Sequence, residues 1–166
     1  VTSIGEYAFC DCSGLTSVTI GNGVTSIDRG AFKGCSGLTN VIWNAENCTT
    51  ANPFSFSIFG DCNNLTQVTI GNNVKTIPSN AFENCSGLTN VIWNAENCTI
   101  VGSSYPIFSN CSKLTNLTIG ENVKIIPDYA FGDCRGLTDV KIPDSVTSIG
   151  MCAFYNCSIL TSVTIG

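Results

Sequence analysis

The chain has 166 residues, of which 43% are hydrophobic and 11% are charged, and its net charge is −5. This balance is typical of a folded domain and excludes a chain that is disordered by composition. The seven basic residues are scattered along the chain, so no positive stripe is available to bind a nucleic-acid backbone. No apolar run reaches the roughly 18 residues that a membrane-spanning helix needs.

A motif that begins with cysteine recurs along the whole chain, and residues 35–43 are a representative copy. Each copy has a Leu three residues after the Cys and a Thr directly after that Leu. Successive copies are 23 to 27 residues apart, a period that indicates a solenoid. The cysteines of this column are Cys12, Cys35, Cys62, Cys85, Cys111, Cys134 and Cys157.

The pattern Leu-x-x-Val-x-Ile in each copy predicts a short strand with one buried side. Residues two apart share a face of a strand, so Val and Ile point inward together with the Leu. The residues before and after the Val then point outward from an open sheet. We predict a first outward column of Ser17, Asn40, Gln67, Asn90, Asn116, Asp139 and Ser162, and a second of Thr19, Ile42, Thr69, Ile92, Thr118, Lys141 and Thr164.

Turn residues such as Gly and Asn follow the strands, and in five repeats Val-x-x-Ile and then Ala-Phe precede the column Cys. We expect a brief second strand at Val-x-x-Ile, followed by a turn or a short 3-10 piece. Pro78 and Pro127 exclude a long helix after two of these strands. Seven of the nine Phe recur once per repeat, and we expect these to stack in the core: Phe9, Phe32, Phe59, Phe82, Phe108, Phe131 and Phe154.

Two repeats, around 35–61 and 85–110, are longer than the others. Their segments 35–49 and 85–99 are identical. Trp43 and Trp93 replace the inward Ile there, which predicts core residues, with a ligand platform as the alternative. The domain prediction is therefore a single solenoid segment over 1–166 with seven repeat units, and we expect it to be a piece of a longer protein.

The chemistry of known catalytic and metal sites finds little support in this sequence. The chain contains no His, which excludes His-dependent nucleophiles and His-ligated zinc in this segment. No glycine-rich phosphate loop is present. We predict no catalytic residue, cofactor or metal, and no enzymatic activity. The column cysteines are expected to be buried, reduced thiols, because equivalent side chains pointing the same way suit a disulfide poorly.

The consensus Cys-x-x-Leu-Thr-x-Val-x-Ile-(Gly/Pro)-x-x-Val-x-x-Ile-x-x-x-Ala-Phe resembles the BspA-like leucine-rich-repeat family of surface proteins. The resemblance covers essentially the whole chain. It implies an all-β-dominated, right-handed solenoid with a parallel sheet on one face and short strands, turns and 3-10 pieces on the other. It also implies a place on or outside the cell and a role in adhesion, often to host extracellular matrix.

Two hypotheses of function follow. The first is a cell-surface or secreted module that binds a protein partner. The alternative is a structural spacer or a self-assembling fibre element, with association from end to end.

For the first hypothesis, the apolar residues of the outward face and the rim loops beside them are the candidate contacts, although isolated exposed Ile residues are also common. The candidates are Asn40, Ile42, Asn44, Glu46, Asn90, Ile92, Asn94 and Glu96. Asn47 and Asn97 lie in Asn-x-Thr sequons and are candidate glycosylation sites, with chance sequons as the alternative.

Overall fold

The computed structural model describes residues 1–49, 57–101 and 105–166. In these residues the chain forms short β-strands joined by turns, and no helix is present. The strands build a parallel solenoid of about seven turns, which confirms the predicted fold class. The described part of the chain contains no helix able to cross a membrane.

One four-residue strand from each Leu-x-x-Val-x-Ile pattern lies on the sheet face. Five of these strands form one parallel sheet in the order β2-β4-β5-β7-β9, and the last two, β11 and β13, pair with each other. These strands are β2 (Ser17–Ile20), β4 (Asn40–Trp43), β5 (Gln67–Ile70), β7 (Asn90–Trp93), β9 (Asn116–Ile119), β11 (Asp139–Ile142) and β13 (Ser162–Ile165).

Among the described residues, six shorter strands lie on the opposite side: β1 (Ser3–Ile4), β3 (Ser26–Ile27), β6 (Thr76–Pro78), β8 (Thr99–Val101), β10 (Ile125–Ile126) and β12 (Ser148–Ile149). Five of them contain the Ile of a Val-x-x-Ile pattern, as predicted, whereas β8 lies in a long repeat without that pattern. They pair as β1 with β3, β6 with β8 and β10 with β12, all in parallel. Hydrogen-bonded turns, rather than 3-10 pieces, connect them to the column cysteines in the described residues.

Burial alternates along the sheet-face strands as the sequence pattern predicts. In β4, β5 and β7 the second and fourth residues are buried and the first and third are half-buried. Trp43 and Trp93 occupy the fourth position and have no exposed surface, which confirms that they belong to the core. Each indole packs edge-on against stacked phenylalanines, Trp43 against Phe82 at 6.1 Å and Trp93 against Phe131 at 5.5 Å.

The phenylalanines form one continuous stack through the core. Each ring lies nearly parallel to the ring of the next turn, with centroids between 4.9 and 5.9 Å apart. This spacing follows the separation of parallel strands, which is about 4.8 Å. Phe9 at one end stacks on Phe32 alone and is 44% exposed, whereas Phe82 lies between two rings and is fully buried.

The column cysteines do more than fill space. Each thiol from Cys35 to Cys157 donates to the carbonyl oxygen of the Phe in the preceding turn, as Cys85 Sγ does to Phe59 O at 3.2 Å. The column therefore forms hydrogen bonds as well as apolar contacts, and a serine hydroxyl at residue 85 would find the same acceptor. Cys12, in the first turn, is exposed, and Cys157, in the last, is half-buried. All eleven thiols are free.

The turns before the column cysteines depend on left-handed backbone. In all seven repeats the residue directly before the column Cys has a positive φ, and it is always Asn, Asp or Gly. These residue types adopt that conformation at the least cost. Gly30 also has a positive φ of 60°, and a Cβ there would collide with the Tyr7 ring.

We predict that Phe82→Ala destabilises the fold by about 3–5 kcal/mol, because it removes a buried ring from the middle of the stack. Phe9→Ala is the matched control and should cost clearly less, since Phe9 has one ring neighbour and is partly exposed. The free energy of unfolding in urea measures both. If both variants lose the same free energy of unfolding, a Phe with two ring neighbours stabilises the fold no more than a Phe with one.

A second prediction concerns pH. Burial raises the pKa of the Cys48, Cys62 and Cys98 thiols from the ordinary 9.0 to about 12. Between these values the folded chain holds protons that the unfolded chain releases, so the free energy of unfolding should fall as pH rises from 9 to 12. Urea unfolding across this range, with thiolate absorbance followed in parallel, measures it. Thiolate formation by these three residues near pH 9 in the folded protein would contradict it.

Candidate partner-binding groove

The open face of the sheet presents the two outward columns that the sequence predicts. The backbone register pairs Ile42 with Thr69 and Thr69 with Ile92, so the two isoleucines flank one threonine. Both isoleucines are half-buried, which corrects the expectation of a fully exposed apolar pair. Neighbouring strands cover part of each side chain, because adjacent turns lie only about 4.8 Å apart.

Asparagine and glycine alternate at the edge where the strands end. The residue directly after the strand is Gly21, Asn44, Gly71, Asn94 and Gly120 in successive turns. The backbone ladder continues through this edge, with Asn44 N donating to Ile20 O at 2.8 Å and Gly71 N to Trp43 O at 2.9 Å. This continuation holds the two asparagines in a fixed position relative to the sheet.

The glycines leave room for the asparagine side chains. A Cβ on Gly120 would lie 2.7 Å from Asn94 Oδ1, and Gly71 faces Asn44 Oδ1 in the same way. Within the described part of the chain, neither side-chain amide makes a hydrogen bond. Both asparagines are half-buried, so each offers an unused donor and acceptor at a defined place.

These residues border a groove along the edge of the sheet, which we call the rim groove. It has a volume of about 630 Å³ and crosses four turns. Asn44, Glu46 and Asn94 were predicted as contacts and lie in it, whereas Asn40, Ile42, Asn90 and Ile92 lie on the sheet face beside it. The lining consists of Gly21, Asn22, Asn44, Glu46, Thr69, Gly71, Asn72, Asn73 and Asn94.

Among the lining residues that sequence reasoning missed are three asparagines, Asn22, Asn72 and Asn73, which it had assigned only to turns. All three are exposed. The alignment of successive repeats could have identified them. Asn22 and Asn73 follow β2 and β5, and both strands end level with β4. Turn composition alone does not reveal that alignment.

The two glutamates differ in their surroundings. A smaller cleft of about 210 Å³ adjoins the rim groove and contains Glu46, Lys75 and Glu96. Lys75 Nζ forms an ion pair with Glu46 Oε1. Glu96 is exposed and forms no ion pair within the described residues. The cleft therefore carries one unpaired negative charge.

The two asparagines of the first outward column also differ. Asn90 Nδ2 donates to Gln67 Oε1 at 3.2 Å. Asn40 Oδ1 is buried and has no partner among the described residues. An acceptor in this state costs free energy unless water or a ligand pairs with it.

Asn47 and Asn97 are both exposed at the turn beyond the rim groove. Asn47 also forms an isolated parallel bridge with Thr76. Glycosylation of these sequons stays a prediction. The described residues contain no cluster of three or more His, Cys, Asp or Glu side chains that could hold a metal ion. The chemistry of the rim groove is that of amides, a hydroxyl and a carboxylate, which bind by hydrogen bonds.

Comparison with solved structures found similar chains. A leucine-rich-repeat protein of T. pallidum is 23% identical, with 97% of this chain and 72% of that chain covered and a TM-score of 0.60. A leucine-rich cell surface protein of Faecalibacterium prausnitzii is 19% identical, covers 100% and 70%, and has a TM-score of 0.45. No curated protein matches the chain.

The family comparison covers the sequence from end to end. The signature described as the BspA type leucine-rich-repeat region matches residues 1–105 and 103–166, in six copies. Its repeat unit is the one that forms each turn of the solenoid. The chain therefore belongs to the BspA-type leucine-rich-repeat family.

Proposed function

We propose that this chain is a protein-binding module that acts at the cell surface or outside the cell, and that adhesion is its role. Its partner is a protein, and host extracellular matrix is the first class to examine. Membership of a repeat family commonly found in protein-binding surface proteins supports this proposal. The single observation that carries it is the open sheet face bordered by the rim groove, where Asn44 and Asn94 hold unused amides.

The proposed contact surface consists of Asn40, Ile42, Asn44, Glu46, Asn90, Ile92, Asn94 and Glu96. Its apolar part is small, since only Ile42 and Ile92 are apolar among the outward residues of their strands. Polar groups with free hydrogen-bonding capacity surround that part. Such a surface stays soluble without a partner and gains specificity from the amides when one binds.

We predict that Ile42→Asp combined with Ile92→Asp lowers the affinity for a matrix protein by at least about tenfold, because the change buries two charges in the contact. The probe is the purified chain over collagen-coated and fibronectin-coated sensor surfaces. Ser162→Asp with Thr164→Asp is the matched control, on the same outward face but in β13, three turns away from Ile92. Unchanged binding by a folded double variant, judged by circular dichroism, would remove this surface from the proposal.

The second candidate function is a structural one, a spacer or self-assembling element. The observation that favours it is apolar exposure at both ends of the solenoid. Phe9 is 44% exposed at one end, and Val163 and Ile165 are 51% and 67% exposed at the other. Unpaired strand edges with apolar side chains are ready templates for another chain.

We therefore predict association from end to end that increases with protein concentration. Val163→Lys with Ile165→Lys should reduce it, because charges on an edge strand oppose pairing. Light scattering over a concentration series measures the effect. A parent chain that stays monomeric at millimolar concentration would rule out the fibre hypothesis.

A further inference from the structure

The contact surface repeats every second turn. Ile42, Asn44 and Glu46 recur as Ile92, Asn94 and Glu96, because segments 35–49 and 85–99 are identical. One turn with Thr69 and Gly71 at the matching places lies between them. Two steps between parallel strands amount to about 9.6 Å. The same apolar, amide and carboxylate groups therefore recur at about that distance along the solenoid axis.

A ligand that uses both copies must carry a repeat of similar length. Polyproline II helix has three residues per turn and a rise of about 3.1 Å per residue, so every third side chain recurs after about 9.3 Å. A β-strand repeats its side-chain direction after two residues, or about 6.8 Å. The polyproline II period is therefore closer to the two-turn repeat of the surface than the strand period is.

The free amides of the surface can pair with the backbone of a polyproline II ligand. Polyproline II has no internal hydrogen bonds, so all its carbonyl oxygens are free to accept. Asn44 and Asn94 each hold a free amide at the edge of the rim groove, two turns apart. The groove crosses four turns, about 14 Å along the axis, which is enough for four or five residues of such a chain.

Charge and apolar contacts refine the choice of ligand. The cleft beside the groove keeps one unpaired carboxylate, that of Glu96, and the whole chain has a net charge of −5. A basic side chain beside Glu96 would pair with this carboxylate, and a second one, three residues away, would compete with Lys75 for Glu46. Ile42 and Ile92 offer apolar surface next to the groove, which suits proline rings at the other positions.

We propose that the rim groove binds a peptide segment in the polyproline II conformation, lying across the strands, with a basic residue at every third position. This inference rests on the proposed function as a protein-binding module, and it names the partner by conformation, period and charge. The bound segment contacts Ile42 and Ile92 with its proline rings and Asn44 and Asn94 with its carbonyl oxygens.

The test is calorimetric titration with two twelve-residue peptides of equal composition. One has Lys at every third position and Pro elsewhere, and the other has the same lysines grouped at its two ends. We expect the periodic peptide to bind at least about tenfold more tightly at physiological salt. Asn44→Ala with Asn94→Ala should abolish that difference. Asn64→Ala, at the other edge of the sheet, is the matched control and should not change it.

The outcomes separate this inference from the proposed function. Equal affinity for both peptides would overturn the period argument and leave only charge attraction. Binding to a matrix-coated surface with no binding of either peptide would overturn the inference while the proposed function stands. Binding of an oligosaccharide in the groove, blocked by the same Asn variants and without peptide binding, would also overturn it. If the chain binds neither a matrix-coated surface nor either peptide, the result would count against both the inference and the proposed function.

Discussion

The separation of parallel strands, about 4.8 Å, is the constraint on which the structure depends. Every turn of this solenoid must repeat at that distance, so each position along the repeat meets its own equivalent above and below. Flat aromatic rings stack well at this spacing, and the Phe rings here do so at 4.9 to 5.9 Å. A thiol, which is small and can donate a hydrogen bond, fits the place beside each ring and bonds to the carbonyl of the turn before it.

The same repetition satisfies polar groups without charged residues. Thr39 Oγ1 donates to Thr16 O, and Thr66 Oγ1 to Thr39 O, both at 3.1 Å. A hydroxyl that points along the axis reaches the backbone of the preceding turn in repeat after repeat. The hydroxyl thus pairs with a carbonyl that also accepts a backbone N–H, as Thr16 O does from Thr39 N at 3.0 Å. This pairing also leaves the side chains of the sheet face free for contact.

Much of this arrangement could be predicted from the sequence, because repetition multiplies a weak local signal. Side chains alternate every two residues along each strand, and the whole motif recurs about every 23 residues. Together these two periods predict the strand positions, the inward Val and Ile and the buried Trp43. The thiol bonds could not be predicted, because the sequence does not give the direction of a side chain relative to the turn before it. The residues with left-handed backbone before the column cysteines are Asn, Asp or Gly, residue types that indicate this conformation in the sequence. Tyr129 and Cys152 also have a positive φ, but their residue types do not indicate it. The rim groove was found in part, since its asparagines share an edge only once the register is known.

The identity of segments 35–49 and 85–99 has a consequence for valency. A unit of two turns that can be copied without disturbing the stack adds one more isoleucine, amide and carboxylate at the same interval. Each copy extends the contact surface along the axis and leaves the core pattern unchanged. A long periodic ligand would then bind several equivalent sites at once, and its overall affinity would rise with the number of copies through effective concentration, with no improvement in any single contact. The number of such copies would thus set the strength of the proposed binding.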